Sequence, residues 1–360
     1  MKKIFAIGFV LLLLGSSLFA DDAKVMPKMV GRLYVAPTYS FASGEYDIDG
    51  DYHSFGGGSV KVFNLGFALE YGIIDWLTAA VQWVPGWTPW SNIKVATKSN
   101  NFPDGIPNAD TNGVADLFAG LKIQVAGAKA PVQTGNFRFA VAPGAIIPLP
   151  GPTFDEIPGD DMTLSSMDRH VFAAGARVYF DYIINKYFFI NLYNETIFYP
   201  VKQDLTKDSP KFHAVKQGMA AATTNPLIRD IEGKINYGYR LTFEIEPVFT
   251  IPIVSGIDFS AGLPINYRYI PAPKYSFDYP AALAPAASQL EPQIMALGEF
   301  NTDPQHILRL NPNVSIFFMK AFLPLEFKFQ YSLPVYGKNI MASHNATLQV
   351  KAYFALPGAR

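Results

Sequence analysis

The stretch INYGYRLTFEIEPVFTI (235–251) decides how the rest of the chain is read. Ile235, Tyr237, Tyr239, Leu241, Phe243, Ile245, Pro247, Phe249 and Ile251 take every odd position. Asn236, Gly238, Arg240, Thr242, Glu244, Glu246 and Thr250 take the even ones, with Val248 the exception. After a turn at 252–256 the alternation resumes, with Ile257, Phe259, Ala261, Leu263, Ile265, Tyr267 and Tyr269 set against Asp258, Ser260, Gly262, Asn266 and Arg268. Successive side chains of a strand point to opposite faces, so a period of two predicts a long antiparallel hairpin. Soluble strands run about 5–6 residues, whereas tilted membrane-spanning strands need about 9–11. Taken alone, this hairpin fits either a membrane strand pair or a large soluble β-domain with Arg240, Glu244, Glu246 and Arg268 in water.

Its neighbours separate the two. Similar alternation marks 32–41, 61–71, 76–84, 114–125, 137–147, 171–182, 307–318, 323–333 and 346–356. Residues 186–199 form a further strand of ambiguous face, with a bulge expected near 191–195. With the opening hairpin these make 12 strands. The connections alternate: 42–60, 85–113, 148–170, 200–234 and 270–306 are long, and 72–75, 183–185, 252–256 and 319–322 are short. The connections 126–136 and 334–345 are of middle length. Short turns at one end and long loops at the other are the pattern of an outer-membrane barrel. Closure removes edge strands, and contact with lipid explains apolar faces this complete. The expected fold is therefore an all-β, transmembrane antiparallel barrel of about 12 strands behind an N-terminal signal peptide.

Residues 1–20 carry the signal: Lys2 and Lys3, the apolar run IFAIGFVLLLLG, then Ser16, Ser17 and Ala20 before a cut ahead of Asp21. The barrel domain is 21–360. No later run of 18 apolar residues exists, so helical spans are excluded. The chain has no cysteine, hence neither a disulfide nor a lipidated N-terminal cysteine. Removing two lysines from 29 basic residues leaves 27 against 30 acidic, a net of −3, which gives nucleic acid no foothold.

The alternation assigns an inward, polar face. On it fall Arg32, Lys122, Arg138, Arg177, Arg240, Arg268, Arg309, Lys328 and Lys351, with Glu70, Asp116, Asp181, Glu244, Glu246, Asp258 and Glu326 opposing them. These describe either a wet, charged pore or a salt-bridge network that only stabilises the wall. Arg240, Arg268 and Arg309 should neighbour one another in the outer half, above Glu244, Glu246 and Asp258. Such a cluster would favour anions, unless Asp116 or Glu326 neutralises it. Trp83, Trp87 and Trp90 are expected in an aromatic girdle at the membrane interface, or in a hydrophobic entry patch. Residues 286–297 suggest a short helix with Leu290, Ile294 and Leu297 on one face, folded inward or capping the surface. Asp47, Asp49 and Asp51 have calcium-like spacing, but no downstream glutamate completes a loop, and a solvated turn is expected. The five histidines fall in loops or at strand ends, away from any nucleophile elbow or metal-spaced pair, so no enzyme, metal or cofactor is expected.

Three consecutive pieces resemble the outer-membrane transporter family grouped with the phenol meta-pathway degradation proteins. They are LEYGIIDWLTAAVQWVP (69–85), NGVADLFAGLKIQV (112–125) and FRFAVAPGAIIPLPG (137–151). The resemblance implies a barrel that passes hydrophobic or aromatic small molecules, with the FadL channels as more distant relatives. Two features depart from that pattern. Only residues 21–31 precede the first strand, too few for a FadL-like hatch, and the chain ends in PGAR rather than on an aromatic residue. The expected function is passive uptake of small, hydrophobic or anionic solutes across the outer membrane of a diderm bacterium. Lipid, solute and the barrel-assembly machinery are the expected partners. The rival is a surface-exposed structural or adhesive protein with a blocked lumen.

Overall fold

The computed structural model describes residues 22–94, 109–110, 113–149, 171–205, 210–298, 300 and 302–355. The expected signal peptide and its cleavage point lie outside these residues, as do the PGAR end and most of the connections 95–116 and 150–170. Twelve long strands form the wall: β1 (Val30–Ala42), β2 (Ser59–Ile74), β3 (Leu77–Lys94), β4 (Leu117–Gly127), β5 (Phe137–Ile147) and β6 (Ala173–Asn185). The second half is β7 (Phe188–Phe198), β8 (Tyr239–Val254), β9 (Ile257–Gly262 and Ile265–Ile270), β10 (Gln305–Leu310 and Asn313–Phe318), β11 (Leu325–Lys338) and β12 (His344–Ala355). Each pairs antiparallel with its chain neighbour, and β1 also pairs with β12, Val35 facing Phe67 on one side and Val350 on the other. The sheet is a closed ring.

Its polarity is inverted relative to a soluble domain. On β8, Thr242 is fully buried while the adjacent Phe243 is 54% exposed. Leu33, Leu69, Leu121, Leu192, Ile265, Val314, Phe329 and Leu348 are likewise exposed, whereas Arg32, Glu70, Lys122, Asp181, Arg309 and Lys351 are buried. An exposed apolar surface running round the wall is stable in hydrocarbon and not in water. This is a transmembrane barrel, and the facing read from the alternation holds.

The prolines Pro264 and Pro312 interrupt β9 and β10 because proline has no N–H to give the ladder. Hydrogen bonds from Asn311 N–H to the Pro264 carbonyl (2.8 Å) and from Tyr331 N–H to the Pro312 carbonyl (3.0 Å) keep the wall continuous there.

Several expected boundaries move. Strand β3 runs on to Lys94 and β11 to Lys338, so both reach past the ends read from the sequence. The bulge expected at 191–195 is absent from the described register, since β7 pairs regularly with β8 from Phe188 to Phe198. Ile235 and Tyr237 do not belong to the wall. Gly238 turns the chain with φ +69°, and residues Glu232–Asn236 instead pair with Gln203–Asp204 and Lys274–Asp278.

That small sheet joins two helices in a cap at the long-connection end. Helix α1 (Pro210–Thr223) lies within the long connection 200–234, where the sequence pattern predicts no helix, and α2 (Ala287–Gly298) falls where the pattern predicts one. Phe212, Val215, Met219, Ile228, Ile231, Ile235 and Ile294 form the cap's apolar core, continuous with Ala173 and Ile197 at the tops of β6 and β7. Of the three residues expected on one face of α2, Ile294 is buried and Leu290 packs beside it, but Leu297 is exposed. Lys216 donates to the carbonyls of Arg229 and Ile231 at 2.9 Å each, and burial lowers its pKa.

Candidate functional site

The lumen is assembled by register. One inward row crosses four strands, Arg138 facing Asp181, Asp181 facing Asn191 and Asn191 facing Glu246. The next row runs Ala140, Tyr179, Tyr193, Glu244, Asn266 and Arg309. Above it come Ala142, Arg177, Glu195, Thr242 and Arg268. Opposed residues of adjacent strands have Cβ atoms about 4.5–5.5 Å apart, so each row is a contact chain.

At least half of the 16 expected inward charges are held in ion pairs. Arg32 meets Glu70 at 2.6 Å, Arg138 meets Asp181 at 2.6 Å, and Lys351 meets Glu326 at 3.0 Å. Glu195 bridges Arg177 at 2.8 Å and Arg240 at 3.0 Å. This glutamate was missed in the sequence because its strand gave no clear face. It, and not Asp116 or Glu326, is the acid beside the arginine cluster. Asp116 accepts from the Leu149 N–H at 3.3 Å.

Arg240, Arg268 and Arg309 do neighbour one another: Arg268 opposes Thr242, two residues from Arg240, and Arg309 opposes Asn266, two residues from Arg268. Arg309 is buried and donates to Ser332 Oγ (3.3 Å), Ser343 O (2.9 Å) and Ser343 Oγ (2.8 Å). Glu244 and Glu246 lie further toward the short turns on the same strand as Arg240, and Asp258, opposite Pro252, lies close to a short turn. Lys328 lines a cavity with Arg32, Glu70, Gln82, Lys122, Arg177 and Lys351. The space open to water centres there is about 50 Å³, room for a few waters.

The short-turn end holds a feature that the sequence does not announce. Residues 22–29 enter the barrel. The Ala23 N–H donates to both Asp181 oxygens (3.2 and 3.1 Å), and its carbonyl accepts from Gln124 at 3.0 Å. Lys122 donates to the Asp22 carbonyl, Met26 N–H donates to Thr78 Oγ1 at 2.8 Å, and Met29 N–H to the Gly72 carbonyl at 2.8 Å. Ala23 is fully buried. Eight residues are too few for a folded hatch, yet an extended chain needs little length to cross a lumen of this size. Gly72 is required here, since a Cβ would strike the carbonyls of Met26 and Pro27.

On the outer surface Trp83, Trp87 and Trp90 face Phe67, Leu65 and Phe63 across β2 and β3. Trp87 and Trp90 are exposed, while Trp83 stacks on Phe67 and donates to the Ala115 carbonyl at 2.7 Å. His306 and His344 accept from or donate to Tyr267 (2.6 Å) and Tyr331 (3.0 Å) near the strand tops. In the turn at 47–51, Asp47 Oδ1 accepts from the N–H groups of Asp49, Gly50 and Asp51, and Oδ2 meets His53 at 2.7 Å. The Asp51 N–H, then His53, hold the Asp47 carboxyl below its usual pKa, and both oxygens are engaged by the turn itself. Among the described residues no three His, Cys, Asp or Glu side chains converge as metal ligands.

No protein-family model matches the chain, and no curated protein matches it. Among solved structures it is similar to an outer membrane channel from Pseudomonas putida F1. The TM-score is 0.57 at 12% identity, over 94% of this chain and all of that one. A FadL homologue from Pseudomonas aeruginosa aligns at TM-score 0.37 and 9% identity, over 95% of this chain and 96% of that one. The first likeness bears on the fold alone.

Proposed function

We propose that this chain is an outer-membrane channel for passive uptake of small solutes. The observation that carries the reading is a sealed wall, apolar outside, around a column of charged and polar side chains with water-sized space among them. Eight-stranded barrels are filled by side chains and those of 16–18 strands are open, so 12 suit a narrow path. Long connections then face outward, and the chain reaches the outer membrane through a cleaved signal peptide and the barrel-assembly machinery. The resemblance to the phenol meta-pathway family favours hydrophobic or aromatic solutes. Arg240, Arg268 and Arg309 favour those that carry negative charge, because cationic rings attract anions into a pore.

A second reading is favoured by one observation, the N-terminal segment bound across the lumen. A barrel blocked there would be a surface-exposed structural or adhesive protein. Single-channel recording of folded, heat-modifiable protein separates the two. Discrete steps are expected, with a reversal potential that moves toward cations when all three arginines become serine. Silence from folded protein assigns the blocked-barrel reading.

A further inference from the structure

We propose that the lumen holds a binding site for a short-chain carboxylate, with Lys328 as its anchor, a site that rests on the channel reading and gives its anion a class. The place is the cavity lined by strands β1–β6 and β11–β12, one space that all its lining residues share. Five cations line it, Arg32, Lys122, Arg177, Lys328 and Lys351, against one acid, Glu70. Arg32, Arg177 and Lys351 are taken by Glu70, Glu195 and Glu326. Lys122 donates to the Asp22 carbonyl and lies over the Tyr179 ring.

Lys328 differs from the other four. It is half-buried, and it has neither a hydrogen bond nor an ion pair among the described residues. Glu244 is the acid whose charge bears on it, without forming an ion pair. Its register partners on the flanking strands, Ser315 and Gln349, are uncharged. An ammonium carries three N–H donors and no acceptor, and charges removed from bulk water are held by partners of opposite sign. The cavity therefore has a place for one negative charge.

The shape of the space says what carries that charge. Glu70, Ala80, Gly120, Gly144 and Gly175 form one inward row across β2 to β6, so β3 to β6 present no atom beyond Cβ at that level. The Phe118 ring fills part of this recess. A Cβ on Gly144 would strike it, and the Arg177 guanidinium stands 3.9 Å from its centre. What stays open is about 50 Å³, faced by Phe118, Ala80 and Ala142 as well as by Lys328. That is room for about four waters, the bulk of an acetate or a propionate. Chloride would meet the charge and leave the apolar faces bare, and a neutral molecule would do the reverse. A short carboxylate meets both.

The test is saturation-transfer NMR of propionate against the full-length barrel in detergent, with heat-modifiable mobility as the check of folding. Saturable binding is expected, with affinity lowered at least tenfold in Lys328→Met and unchanged in Lys338→Met, at the far end of β11 opposite His306. Ala80→Leu fills the recess without changing charge and should lower the affinity as much, which decides the question if Lys328→Met does not fold. Absence of saturable binding to the folded wild-type chain overturns the proposal, as does binding that survives both variants unaltered. Equal displacement of propionate by chloride or by propionamide overturns it too, since charge and apolar body would then not be read together. Binding is read without flux, so a conducting barrel that takes no propionate loses the site and keeps the channel, and a silent barrel that binds it does the opposite.

Discussion

Ile235 and Phe243 belong to one alternation of apolar residues and meet opposite surroundings. Ile235 lies in the cap, 5% exposed, against Phe212 and Ile231; Phe243, eight residues on, is 54% exposed on the barrel wall. The difference is the solvent. Above the membrane the cap must hide its apolar side chains in a core of its own, because water surrounds it. Within the membrane the wall turns the same residue types outward and gathers its polar ones inside. Gly238 marks the change. Its positive φ ends the short cap strand and starts β8, with its N–H donated to Asn236 Oδ1 at 2.9 Å and its carbonyl accepting from Tyr199.

Substitutions at three positions sharpen that contrast. Phe212→Ala empties the centre of the cap core and should cost about 3–5 kcal/mol of cap stability. Limited proteolysis at 199–238 and 270–305 should accelerate while the heat-modifiable barrel persists. Loss of both together would show that cap and wall unfold as one unit. Phe243→Arg places a charge in hydrocarbon and should cost the barrel about 2–4 kcal/mol, read by urea unfolding in lipid vesicles. A cost near zero would mean that this face does not meet lipid. Gly238→Ala should cost the least, about 1–2 kcal/mol, from the left-handed backbone alone. The nearest atom to an added Cβ, on Pro271, stands 3.5 Å away, so no clash contributes. Gly238→Asn should recover part of the loss, since asparagine tolerates that conformation; equal losses would point to a role other than backbone freedom.

The wall was legible in the sequence because its binary pattern obeys one rule over most of its strands. Register then followed for Arg240, Arg268 and Arg309, whose adjacency comes from counting along strands from shared turns. Glu195 was not legible. Its strand opens on Phe188, Phe189 and Ile190 in a row and points Tyr193 and Ile197 inward, so apolar residues fall on both faces. Helix α1 carried a readable signal, Phe212, Val215, Met219 and Ala220 at helical spacing, obscured by a loop context. The segment 22–29 carried none. It is held mostly through its own backbone N–H and carbonyl groups, which nearly every residue offers, and its side-chain contacts, Asp22 with Arg138 at 3.9 Å and Lys24 over the Phe189 ring, use residue types too common to mark the segment in the sequence.

That segment is where the account is most exposed to test. Its central claim is a solute path through the barrel that residues 22–29 narrow from the short-turn end. The direct measurement is single-channel conductance in planar bilayers of the mature chain with and without residues 22–28. Removal frees Asp181, Gln124 and Thr78 to take water, and larger or longer openings are predicted, with the heat-modifiable mobility of the folded barrel retained. Identical conductance and open time in the two chains, or silence in both, would contradict the account.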